Sequence, residues 1–104
     1  MCRFMVIAVT MVALMVGVAA AASLPAYDIS TYCKMVGDAG DGSYTIESGC
    51  RDMEREAEAA LTRMNIEPRI LTYCDSVAKA GGGSYSIFQS CIEMEMGSQK
   101  SLGK

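Results

Sequence analysis

The chain has 104 residues, 12 of them acidic and nine basic, no histidine, and a net charge of −3. That length holds one small domain at most. Without a run of Lys and Arg it offers no nucleic-acid surface, which needs clustered cations to displace counterions, and without histidine it lacks the commonest general base.

In chain order, Met1 to Arg3 make a short positive head, Phe4 to Val18 are almost wholly apolar, and Ala19 to Ala22 supply the small residues that a signal peptidase reads. The expectation is a signal peptide over 1–22, cut after Ala22. A retained anchor is the alternative, because Phe4 to Leu24 is about the length that crosses a bilayer core. The alanine run and the change to Ser23-Leu24-Pro25 favour cleavage. Loss of Arg3 moves the net charge from −3 to −4, and loss of Cys2 leaves Cys33, Cys50, Cys74 and Cys91. An even number of cysteines in a short exported chain predicts two disulfides formed in an oxidising compartment, periplasmic or secreted, with no stable membrane insertion after cleavage.

The remaining residues, 23–104, are expected to be a single domain of two repeats, about 28–64 and 69–104. A shift of 41 residues lays Cys33 on Cys74 and Cys50 on Cys91. The same shift matches Ile29, Thr31, Tyr32 and Val36 to Ile70, Thr72, Tyr73 and Val77. It then carries Gly42-Ser43-Tyr44 onto Gly83-Ser84-Tyr85, and Met53-Glu54 onto Met94-Glu95. A repeat of this length is one supersecondary unit that cannot bury its apolar face alone. Ile29, Tyr32, Cys33 and Val36 recur at helical spacing, Gly37 to Gly42 interrupt, and Ser43 can cap a second helix. That helix carries Ile46, Cys50, Met53, Ala57, Leu61 and Met64 as an apolar stripe.

The link Asn65-Ile66-Glu67-Pro68 predicts a left-handed helix end at Asn65 and a helix start at the proline. Ile70, Tyr73, Cys74 and Val77, the turn at Gly81 to Gly83, and Ser84 leading into Ile87, Phe88, Cys91 and Met94 repeat the pattern. The last helix is expected to fray after Gly97. The fold class is therefore all-α, two tandem disulfide-stapled helical hairpins in a small four-helix arrangement. Cys33 and Cys50 fall at similar heights on antiparallel helices, so pairing within each hairpin is expected, Cys33 with Cys50 and Cys74 with Cys91. The two other connectivities remain open to sequence.

Candidate chemistry is thin. The glycine turns before Ser43 and Ser84 could present helix-start N–H groups to an anion, yet no lysine follows as in a phosphate loop. Asp38, Asp41 and Glu47 miss the register of a calcium loop, and the second copy has no carboxylate there. Met53, Met64, Met94 and Met96 suit core gaps better than copper. Widely spaced cysteines in an oxidising compartment disfavour zinc. Tyr32, Tyr44, Tyr73 and Tyr85 are expected to flank the disulfides in the core with their hydroxyls bonded outward, the alternative being an aromatic contact surface for a partner. The charges Glu47, Arg51, Asp52, Glu54, Arg55, Glu56, Glu58 and Arg63 are expected to form a solvated face. No catalytic, cofactor-binding or metal residues are assigned, no cofactor is expected, and the protein is not expected to be an enzyme.

The Tyr-Cys, Gly-Ser-Tyr and Cys-x-x-x-Glu elements together resemble a group of small exported Gram-negative bacterial proteins of uncharacterised activity. The resemblance covers nearly all of the chain after Ala22. The first copy departs in having Asp41-Gly42 where the second has Gly82-Gly83. It implies export and stapling but no activity. A looser architectural likeness to the paired-cysteine hairpins of mitochondrial intermembrane-space proteins lacks their second disulfide and shorter cysteine spacing. The expected role is a protein-interaction module, with another envelope or secreted protein as partner. The alternative is a periplasmic binder of a small ligand, anion or metal.

Overall fold

A computed structural model describes residues 23–104 of the protein; the expected signal peptide and its cut lie outside the described residues. Four helices follow one another: α1 (Ile29–Ala39), α2 (Tyr44–Leu61), α3 (Pro68–Ala80) and α4 (Tyr85–Ser101), with no strand among the described residues. Local chemistry sets their starts. Asp28 accepts from the Thr31 N–H at 3.0 Å, and Ser43 and Ser84 accept from Ile46 and Ile87 N–H at 3.2 Å each, so three helices open on a side-chain cap. Pro68 opens the other, where its missing N–H costs nothing. None of the described helices is long and apolar enough to cross a membrane.

Three boundaries differ from the sequence reading. α1 runs through Gly37 to Ala39 because that glycine serves close packing: a Cβ there would stand 3.0 Å from the Glu47 Cβ across the hairpin. α2 ends at Leu61 on a right-handed Thr62, leaving Met64 in the link and Asn65 without a left-handed backbone. α4 continues past Gly97 to Ser101, its next residue held by the Leu102 N–H to Ser98 C=O bond.

Both disulfides form within hairpins. Cys33 joins Cys50 and Cys74 joins Cys91, with Cα separations of 5.5 and 5.6 Å. Each closes a loop of the length for which chain entropy predicts about 3 kcal/mol of stabilisation. α1 packs on α2 and α3 on α4, and the hairpins meet through α2 against α4. The buried core lies along that joint and into the second hairpin: Leu61 from α2 meets Ile70, Leu71, Phe88 and Ile92. Of the four methionines expected in core gaps, Met64 packs against this core, whereas Met53, Met94 and Met96 do not. Met53 is 64% exposed and Met94 73%, because their helix faces point away from both hairpin seam and joint.

Candidate functional site

The joint is built around one carboxylate. Glu54, on α2, sits at i+4 from Cys50 and continues into Ala57 and Leu61, the stripe that faces α4; it is 2% exposed. Its oxygens accept from the Ser84 hydroxyl at 2.6 Å, the Tyr85 N–H at 2.6 Å and the Ser86 N–H at 3.2 Å. The Tyr85 and Ser86 amides are N–H groups that a helix start leaves unpaired, where negative charge is also favoured by the aligned peptide dipoles. Burial of a carboxylate is sustained because each nearby donor is aimed at it. The solvated face expected for Glu54 is thus corrected. A signal existed in the Cys50-x-x-x-Glu54 spacing, which puts the carboxylate on the same inward face as the cysteine.

A second contact straps the chain before α1 onto the other hairpin. The Tyr27 N–H donates to the Tyr85 hydroxyl at 3.1 Å, and the Tyr27 hydroxyl donates to Asp75 Oδ1 at 2.7 Å. Its ring stands edge-on to Tyr85 and Phe88, with centroids 4.9 and 5.8 Å away. Burial, then the hydrogen bond to Asp75, pushes the Tyr27 phenol well above its ordinary range. The Tyr27 hydroxyl first, and Lys79 at 2.9 Å second, hold the Asp75 carboxyl below the usual carboxylate range. Nothing in the sequence marked Tyr27, which has no tyrosine at its repeat position.

The four repeat tyrosines divide. Tyr85 is buried in the joint, Tyr32 is half-buried, and Tyr44 and Tyr73 stand 85% and 54% exposed, so the expectation that all four flank the disulfides in the core fails for two of them. The difference follows from the joint, which covers the start of α4 and leaves the start of α2 bare. At the far end of the molecule lies a groove of about 400 Å³ lined by Ile70, Tyr73, Glu95, Ser98 and Leu102, with a Gln99 to Glu67 hydrogen bond of 2.6 Å on its rim. Glu95 has no hydrogen-bond or ion-pair partner among the described residues. Of the anion-binding helix starts suggested by the glycine turns, the one at α4 is filled by Glu54. Comparison of the chain with family models, with curated proteins and with solved structures finds no match.

Proposed function

We propose that the protein is a non-enzymatic protein-interaction module working outside the cytoplasm, periplasmic or secreted. The observation that carries this reading is a set of large apolar side chains held in solvent on a frame braced by two disulfides: Tyr44, Met53, Tyr73, Met94 and Leu102 are all exposed. Bracing lowers the ordering cost of association, and Tyr and Met are side chains that interfaces favour. The resemblance to small exported Gram-negative proteins and the oxidised cysteines support the location. Binding of a small ligand, anion or metal is the weaker reading, since the α4 helix start already holds the protein's own carboxylate.

The test is light-driven cross-linking in the native host, with a photoreactive amino acid in place of Tyr73 or Met94 and, as control, of Asp52 on the exposed face of α2. Discrete conjugates from the apolar positions and none from Asp52 are expected. Absence of any conjugate at either apolar position defeats the reading.

A further inference from the structure

Within the chain, the joint is a plug in a socket. The plug is the start of α4 with the turn before it, Gly82, Ser84, Tyr85 and Phe88. The socket is Glu54, Ala57 and Leu61 on α2 with Tyr32 on α1, against whose ring a Cβ at Gly82 would lie 3.4 Å away. The contact runs one way. Glu54 of the first hairpin holds the start of the second, whereas Glu95, its counterpart 41 residues on, has no partner among the described residues. A two-fold joint would have used both carboxylates alike, so this one is heterologous, and a heterologous joint leaves one plug and one socket free.

Both free halves are present. The 41-residue shift turns the socket into Tyr73, Glu95, Ser98 and Leu102, which are four of the residues lining the open groove. The plug becomes Asp41, Ser43, Tyr44 and Glu47. Ser43 caps its helix as Ser84 does, and among the described residues no side chain accepts from the Tyr44 or Thr45 N–H.

We propose that the protein associates head to tail with a second copy of itself. The start of α2 of one copy seats in the groove of the next, and Glu95 accepts from the Tyr44 and Thr45 N–H groups as Glu54 accepts from Tyr85 and Ser86. The association is weak, because the apolar centre of the internal joint is replaced: Phe88 by Glu47, Ile92 by Arg51, Ala57 by Ser98, and the Tyr27 strap by Pro68. Polar substitution at the ends of a repeat array limits its growth, so short reversible oligomers are the product. This inference rests on the reading of the protein as an interaction module and names the partner.

Sedimentation velocity and amide NMR over a rising concentration series, on protein with both disulfides formed, test it. Reversible association is expected, with the Tyr44 and Thr45 amides shifting while those of Tyr85 and Ser86 stay. Glu95→Ala is expected to weaken it about tenfold, the loss of a charged hydrogen bond. The double variant Glu47→Phe, Arg51→Ile restores the apolar centre and is expected to strengthen association in a manner that Glu95→Ala reverses. A single monomeric species with unmoving amides at millimolar concentration overturns the proposal, as does association that Glu95→Ala leaves unchanged. A monomer in solution whose Tyr73 position still cross-links to a different protein overturns self-association while sparing the interaction module.

Discussion

Asp41 and Gly82 occupy the same place in the two hairpin turns, and their backbones show why one is aspartate and the other glycine. Asp41 has φ of 61°, inside the left-handed region that an aspartate tolerates. Gly82 has φ of 100°, outside it, and a Cβ there would also stand 2.8 Å from the Met35 Cε on α1. The second turn is pressed against the first hairpin, while the first turn is exposed. Gly82→Asp is therefore expected to destabilise by about 2 kcal/mol, and Asp41→Gly to change stability by less than about 1 kcal/mol. Urea unfolding of the two variants checks the asymmetry; equal effects would mean that the turns are equivalent.

α2 and α4 begin with the same Gly-Ser-Tyr yet differ in what completes their first turn. Ser43 serves α2 alone, whereas α4 receives its own serine and a carboxylate from another helix. The second device links helix formation to tertiary contact: α4 gains its full N-terminal hydrogen bonding only when the hairpins are docked. Glu54→Gln keeps the size of the side chain but turns an NH2 group toward N–H donors, so it is expected to cost about 2 kcal/mol. Glu95→Gln, at the equivalent position on α4, is expected to be close to neutral. Thermal melts of both report the difference, and equal costs would contradict the role given to Glu54.

At the scale of the whole molecule, the hairpins are held together by the α2–α4 core, by Glu54 and by the Tyr27 strap, while each hairpin is closed by its own disulfide. The strap makes stability depend on pH. Asp75 has a carboxyl depressed by folding, so its contribution is present above the ordinary carboxylate value, about 3.9, and is lost as pH falls through the lower folded value. Tyr27 has a phenol raised by folding, so its contribution is present below about 10 and is lost as pH climbs through the higher folded value. Tyr27→Phe is expected to cost about 1 kcal/mol near neutral pH. That gap is expected to shrink below pH of about 4, as Asp75 becomes protonated. A gap that holds constant through acid would show that the hydroxyl contributes nothing through Asp75.

Sequence by itself determined the helical hairpins and their turns and favoured pairing within each, while the structure decided that pairing against the two other connectivities. Those features are local: a cap serine, a glycine turn and two cysteines at matched heights act within one hairpin, and the 41-residue match shows each twice. Tertiary structure decided which of the two related units is covered and which is bare. Tyr44 and Tyr85 read alike in sequence, as do Glu54 and Glu95, and docking in one direction buries one member of each pair and leaves the other open. Direction of docking depends on contacts between residues about 30 apart in the chain, Glu54 to Ser84 above all, and no local pattern carries such a contact.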